Sequence, residues 1–360
     1  MKKTFLTILA SAAAMSLSAQ INISGLVLDQ KTGEPLPFVN IAISGTTMGT
    51  ISSVDGDFAL TVPDNMAGRQ LTFSSVGYQP VTQNIAESNK NQKFNINLQP
   101  IDFKINEVVI TDKSEAGRKL VRGVIETIGS RYVDRDFAYA GYYRSQVTMP
   151  DGKVLMSDYQ FNAYDEAGYS QGAADNAFKA LNYKFHSVKR DFKVYDYESG
   201  INYFDITSAF DIVRYQLGVM NPFTLMDFDF RIKSETSDRV EVQFSCDNPR
   251  LINTGAMGAR KFSGIISILK KENIVEWAEY QMEVQNLSDL GLSVMDMTVK
   301  NTATINCKVL YKKYLDKYAV SSINSTIAIA GGKKIADEIT INSLNYKVPG
   351  RINGKVFYTR

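Results

Sequence analysis

A single histidine limits the chemistry open to this 360-residue chain. Any Ser-His-Asp or Cys-His relay would have to run through His186. That residue lies in Tyr183-Lys184-Phe185-His186-Ser187-Val188, an alternating, strand-like stretch without the glycines of a nucleophile elbow. A strand or loop histidine with no catalytic role is the favoured reading. One imidazole also excludes a metal site that needs two, and two cysteines cannot build a four-thiolate cluster. Neither a G-x-G-x-x-G nor a Walker-type phosphate loop occurs. No catalytic residue, metal or cofactor is therefore assigned.

Carboxylate pairs are the remaining catalytic option, with Asp205 and Asp211 or Asp227 and Asp229 as examples. Glycoside hydrolysis needs two carboxyls about 5–9 Å apart across a cleft. Asp227 and Asp229 instead alternate with Phe228 and Phe230, as residues on the wet face of a strand do. Asp55 and Asp57 flank Gly56 in a turn, and two carboxylates without further oxygen ligands make poor calcium chemistry. Tyrosine is the most skewed residue: 12 of the 19 fall between Tyr132 and Tyr215. A tyrosine ring offers a flat apolar face with a polar tip, suited to stacking on sugars, so Tyr142, Tyr143, Tyr164 and Tyr169 are candidate ligand-stacking residues. Tyrosine is equally a good strand former, and the structural reading carries more weight.

The elements that would position these residues begin with an export signal. Lys2 and Lys3 precede an apolar run from Phe5 to about Met15, and small residues at Ser16, Ser18 and Ala19 place cleavage at Ala19-Gln20. The run is too short for a span of about 20 residues, and no later segment is long and apolar enough to cross as a helix. No cysteine stands near the cut, so an N-terminal lipid anchor is not expected. Export makes a Cys246–Cys307 disulfide chemically open; two buried thiols are the other reading. The formal charge of +2, from 40 basic and 38 acidic residues, gives no field to hold nucleic acid. Loss of Lys2 and Lys3 leaves the mature chain neutral.

Residues 20–100 alternate as about seven short strands between turn residues such as Lys31-Thr32-Gly33, Asp55-Gly56-Asp57 and Pro63-Asp64-Asn65. That pattern predicts a small Greek-key β-sandwich. The segment ISGLVLDQKTGEPLPFVNIAISGTTMGTISSVDGDFALTVP, followed by LTFSSVGYQPVTQNI, resembles the carboxypeptidase-regulatory-like domain of secreted and outer-membrane bacterial proteins. The resemblance implies a transthyretin-like sandwich, often grouped with carbohydrate-binding-like folds. It implies no carboxypeptidase activity, since one histidine cannot supply the zinc set. Residues 101–112 form a linker strand in which Asn106-Glu107-Val108-Val109-Ile110-Thr111 resembles the segment after this module in TonB-dependent nutrient receptors. About 250 residues then remain, far fewer than a barrel of about 22 strands requires.

Residues 113–360 read as a larger antiparallel β domain with two helices. Leu120, Val121, Val124, Ile125 and Ile128 recur at helical spacing behind Ser114 as cap, predicting a helix over 114–129. A second helix is expected over 207–219, ending before Asn221-Pro222. Strands are expected at 143–149, 154–161, 228–233, 240–244, 262–269 and 274–284, with a half-buried strand at Met295–Val299 and a hairpin around Gly331-Gly332. Segments YYRSQVTMPDGKVLMSDYQFNAYD, NPFTLMDFDFRI and KFSGIISILKKENIVEWAEYQMEV resemble the middle region of larger exported proteins, an open sheet similar to lipoprotein-carrier half-barrels. A membrane barrel is disfavoured by the lysines at 308, 312, 313 and 317 and by the absence of a terminal aromatic.

These readings lead to an exported, non-enzymatic protein of the periplasm or outer membrane. Its partner is left open among an envelope protein, a glycan and a lipid. A periplasmic lipid or lipoprotein carrier and a carboxylate-dependent hydrolase are the alternatives.

Overall fold

In the computed structural model, the described residues are 20–36, 39–43, 48–53, 55–75, 78–86, 90–100, 114–169, 181–194, 203–216, 218–254, 258–285, 302–346 and 358–359. The signal segment through Ala19, the linker 101–112 and the expected strand Met295–Val299 lie outside them. The chain divides into two units, Met1–Phe103 and Lys104–Arg360.

Among the described residues the first unit has seven strands: β1 (Gln20–Asp29), β2 (Asn40–Ile43), β3 (Gly49–Ile51), β4 (Asp57–Pro63), β5 (Gln70–Ser74), β6 (Val81–Asn84) and β7 (Asn91–Leu98). One sheet runs β4-β1-β7, with β7 parallel to β1, and the other runs β3-β2-β5-β6. Alternation sends Ile21 and Ile23 inward from β1 and Ile41 and Ile43 inward from β2, so residues of both sheets share one core. Phe58 of β4 meets Phe73 of β5 edge to face at 5.3 Å. Gly33 and Gly56 take φ of +72° and +78° in the turns that the sequence marks. The second turn is closed by Ser53 rather than by the Asp55 carboxylate: Ser53 Oγ accepts from the Asp55 N–H at 3.2 Å. At the first turn Asp29 accepts from the Lys31 and Thr32 N–H groups and from Tyr78 Oη at 2.6 Å.

The second unit opens with helix α1 (Glu115–Arg131). Ser114 Oγ accepts from the Gly117 N–H at 3.3 Å, Glu115 lies in the first turn and Arg131 in the last, an arrangement that suits the helix dipole. Val121, Val124, Ile125 and Ile128 form its buried stripe. Gly117 lets the first turn approach the sheet, where an added Cβ would stand 3.0 Å from Phe230 Cβ.

The strands that follow are β8 (Phe137–Thr148), β9 (Val154–Asp165), β10 (Leu181–Arg190), β11 (Asp229–Glu235), β12 (Arg239–Cys246), β13 (Ala259–Leu269), β14 (Ile274–Val284), β15 (Ala303–Tyr314), β16 (Lys317–Ile329), β17 (Lys334–Asn345) and β18 (Tyr358–Thr359). They form one sheet in the order β11-β12-β13-β14-β15-β16-β17-β8-β9-β10-β18. Ten strands are antiparallel to their neighbours, and β18 adds parallel to β10. The sheet is open, with β11 and β18 at its two edges. Its two faces follow from the period of two. One register row, Val242–Ile266–Ala278–Val309–Ile323–Ile339–Tyr143–Tyr159, points into the core under α1. The adjacent row, Gln243–Ile265–Glu279–Lys308–Asn324–Glu338–Arg144–Asp158, points the other way.

The helix expected over 207–219 is shorter and earlier. Helix α2 spans Tyr203–Ser208, and successive turns then lead to a 3-10 turn at Gly218–Met220. Two causes are visible. Asp211 Oδ1 accepts from the Arg214 N–H at 3.0 Å, a local bond that competes with the helical ladder. Phe210, Asp211, Ile212, Val213, Arg214 and Tyr215 are all buried, whereas a helix on a sheet buries one stripe. Helix α3 is a single turn, Leu251–Thr254.

Candidate functional site

The structure separates the residues that the sequence singles out. His186 lies on β10 in register with Gln160, on the face away from the core. Asp205 accepts from Tyr183 Oη at 2.9 Å. Asp227 is held by Arg250 at 2.9 Å and by Asn253 Nδ2 at 3.0 Å, while Asp229 opens β11. Among the described residues no three metal-ligating side chains converge. Cys246 and Cys307 are both buried and both free, the second of the two readings that the sequence leaves open. They sit on β12 and β15, with β13 and β14 between them, so no thiol can reach the other. Burial raises both thiols, Cys307 strongly.

The four candidate stacking tyrosines split by parity. Tyr143 and Tyr169 point into the core and are 1% exposed, so neither can stack on a ligand. Tyr143 packs with Tyr159, Phe185 and Phe204, and Tyr169 stacks on Tyr132 at 5.2 Å. Tyr142 and Tyr164 are on the opposite face and half-buried.

Two polar clusters occupy the core side. In the first, Arg214 binds Asp165 through Nε and Nη2, both at 2.8 Å. Asp165 also accepts from the Ala167 and Gly168 N–H groups at 2.9 and 3.0 Å. Asp211 accepts from Tyr169 Oη at 2.7 Å and Tyr311 Oη at 2.6 Å in addition to the Arg214 N–H. Burial raises the Asp211 carboxyl against the lowering effect of these donors. The network ties the buried 203–216 segment to β9 and β15. Its donors and acceptors converge on one another and pin that segment to the sheet.

In the second cluster Asp337 of β17 stands among hydroxyls. Its cross-strand neighbours are Ser325 and Ser145, and Tyr143 Oη donates to Oδ1 at 3.1 Å. The Thr207 hydroxyl, which is 2.8 Å from Tyr203 O, also stands beside the carboxyl and favours its charged form. Burial pushes the Asp337 carboxyl up to about 7, with the surrounding hydroxyls holding the rise back. Sequence reasoning passed over this residue, yet a signal was present. In Ile335-Ala336-Asp337-Glu338-Ile339-Thr340-Ile341 the aspartate occupies a core-facing position between isoleucines.

On the opposite face, β8, β9, β10 and β17 present a polar surface with aromatic relief. Register rows set Thr340, Tyr142, Gln160 and His186 side by side, and Ala140, Asn162 and Lys184 in the next outward row. Gln160 Nε2 donates to Tyr142 Oη at 3.3 Å, and Tyr164 Oη donates to Asp136 at 3.2 Å. Gln160 and Asn162 are exposed. Arg144 is neutralised by Asp158 at 2.7 Å within the same face. Further along the sheet the sole tryptophan, Trp277, lies under the Lys308 ammonium at 5.3 Å. Rings flanked by amides and hydroxyls, with Arg144 paired to Asp158, suit a hydroxyl-rich ligand.

Comparison with known proteins adds to this description. Residues 23–110 match the CarboxypepD_reg-like domain family. TonB-dependent receptor P3 of Formosa agariphila is 33% identical over 112 residues, 30% of this chain and 10% of the receptor. TonB-dependent receptor SusC of Bacteroides thetaiotaomicron is 30% identical over 113 residues, 31% and 10% of the two chains. The chain therefore spans about a tenth of the length of these curated relatives. Among solved structures, a DUF1329 family protein from Desulfovibrio piger aligns over 67% of this chain and 95% of its own, with 10% identity and a TM-score of 0.28. A LolA superfamily protein from Nitrosomonas europaea aligns over 65% and 94%, with 7% identity and a TM-score of 0.25. The N-terminal unit, with its two small sheets and matching residues, is a CarboxypepD_reg-like domain of the kind found in TonB-dependent receptors.

Proposed function

We propose that this chain is an exported, non-enzymatic envelope protein that binds a neutral glycan on the outward face of β8, β9, β10 and β17. The observation that carries the proposal is the contrast between the two faces of the large sheet. The core face is filled: Tyr132, Tyr169, Tyr311, Phe204, Phe228 and Phe262 pack beneath α1 and the 203–228 segment. A lipid carrier needs an apolar groove at that place, so the filling speaks against the carrier reading. The hydrolase reading is weakened by the carboxylates themselves, since Asp211 is saturated by donors and Asp227 is paired with Arg250. The outward face keeps Tyr142, Tyr164, Gln160 and Asn162 at the surface, where rings and amides can meet sugar faces and hydroxyls.

Envelope residence is supported by the export signal and by the domain shared with TonB-dependent receptors. The test is affinity electrophoresis of the mature protein in gels containing neutral and acidic polysaccharides. Retardation by a neutral glycan that is abolished in Tyr142→Ala/Tyr164→Ala is the expected result. No retardation in any gel, or equal retardation of the variant, would overturn the proposal.

A further inference from the structure

The turn after α2 holds two large apolar side chains in water. Phe223 is 92% exposed and Met226 68% exposed, three residues apart on one short loop. Only two other large apolar residues among the described ones are comparably open, Leu315 at 65% and Val154 at 48%, and they stand alone in hairpins elsewhere. Single exposed apolar residues are ordinary; a pair on one rigid support is less so.

The support is rigid. The Asn221 N–H donates to Gly218 O at 3.1 Å, and the Phe223 N–H donates to Asn221 Oδ1 at 2.9 Å. The Asp227 N–H donates to Thr224 O at 2.9 Å, closing a 3-10 turn at Leu225–Asp227. Thr224 and Leu225, between the two exposed residues, are buried and anchor the loop to the core. The backbone thus fixes Phe223 and Met226 outward in advance of any contact, so little further ordering is needed on binding.

We infer that Phe223 and Met226 form a wedge that enters the interfacial region of a lipid bilayer. Area decides between a bilayer and a protein pocket. A stable protein interface buries about 800 Å² per partner, and two side chains with an exposed Pro222 beside them fall well short. Shallow insertion into a bilayer needs no matching pocket, and its strength grows with whatever apolar area is buried, so a small wedge gives weak, reversible attachment. The charge at the base agrees. Asp227 is paired with Arg250 at 2.9 Å, so the carboxylate next to Met226 is neutralised. The inference shares with the proposed function only the envelope setting; its residues lie outside the outward face of β8, β9, β10 and β17.

The experiment is co-sedimentation of the mature full-length protein with phosphatidylethanolamine–phosphatidylglycerol vesicles, with lipid-free size-exclusion runs in parallel. Wild type is expected to pellet with vesicles, and Phe223→Ser/Met226→Ser to lose at least tenfold in partitioning. Phe223→Trp should retain binding and show a blue-shifted emission against the Trp277 background when vesicles are added. Trp277 emission during urea unfolding should give the same midpoint for wild type and the serine variant, because both replaced side chains are exposed. Absence of wild-type pelleting, equal pelleting of the serine variant, or a Phe223-dependent dimer without lipid would each overturn the inference. Glycan retardation of the Phe223→Ser/Met226→Ser protein is expected to be unchanged, so the two proposals fail separately.

Discussion

Replacing Asp337 by asparagine should change how the stability of the second unit depends on pH. The carboxyl is 4% exposed and rises from the ordinary value of 3.8 to about 7, chiefly through burial. An aspartate raised in the fold binds its proton more tightly folded than unfolded. Stability is therefore greatest below the unfolded value, falls as pH rises through the window from about 4 to 7, and levels off above it. A shift of about three units corresponds to roughly 4 kcal/mol in all, of which about 2.5 kcal/mol is lost between pH 5 and pH 8. Asparagine cannot titrate. Whatever it gains or loses in hydrogen bonds with Tyr143 and Thr207, that offset is the same at every pH.

Urea unfolding followed by Trp277 fluorescence is the assay, because the only tryptophan in the chain lies on β14 and reports the second unit alone. Asp211 and Glu338, also raised by burial, titrate in both proteins and cancel in the difference. The stability of Asp337→Asn relative to wild type should grow by about 2.5 kcal/mol from pH 5 to pH 8. Parallel profiles for the two proteins would refute the reasoning, since Asp337 would then carry the same charge folded and unfolded.

Other outcomes follow from the same geometry. Arg214→Met leaves Asp165 buried without its bidentate partner and should cost about 3–5 kcal/mol in urea unfolding; Asp165→Asn/Arg214→Met should recover part of that loss. With both cysteines free, the unfolding midpoint should not change on adding dithiothreitol, and each thiol should resist alkylation until the protein unfolds. Tyr142→Ala/Tyr164→Ala should abolish glycan retardation while shifting stability by about 1 kcal/mol, a surface-strand effect. Tyr169→Phe removes a donor from Asp211 as well as the hydroxyl that accepts from the Val320 N–H at 2.9 Å, and should cost about 1–3 kcal/mol.

Much of the architecture was legible because period and punctuation agreed. Ser114, the helical recurrence of Val121, Val124 and Ile128, and the Gly-bearing turns at 33, 56, 152 and 331–332 each placed an element boundary within a few residues. The 207–219 segment misled because Phe210, Val213 and Leu217 do recur at helical spacing. The deciding bond was the one from the Arg214 N–H to the Asp211 side chain, and periodicity carries no record of it. The split among the tyrosines was legible in principle. Tyr142 and Tyr143 are adjacent, so one strand must send them to opposite faces; only the sign of the burial was missing. The Asp165–Arg214 pair was not legible, because the partners lie 49 positions apart and meet only once the segment after α2 folds against the sheet.

Asp337 also bears on why an antiparallel sheet of ten strands keeps one register. A slip of one residue would turn every inward row outward, and burial alone forbids it. A slip of two keeps each face correct and is opposed only by side-chain fit. The inward row around Asp337 is Cys307–Ser325–Asp337–Ser145–Ser157, small and polar across five strands. Shifting β17 by two residues against β16 would set Asp337 opposite Ile323 or Ile327, and against β8 it would set it opposite Tyr143 or Val147. In those registers the carboxyl exchanges its small polar neighbours for bulkier side chains and is displaced from its place beside the Tyr143 hydroxyl; a buried carboxyl that loses its hydrogen bond costs several kcal/mol. The residue that lowers stability at neutral pH thereby widens the gap to the nearest slipped sheets. Asp337→Asn keeps a polar group at that position and so keeps most of the gap, which is why it isolates charge from register.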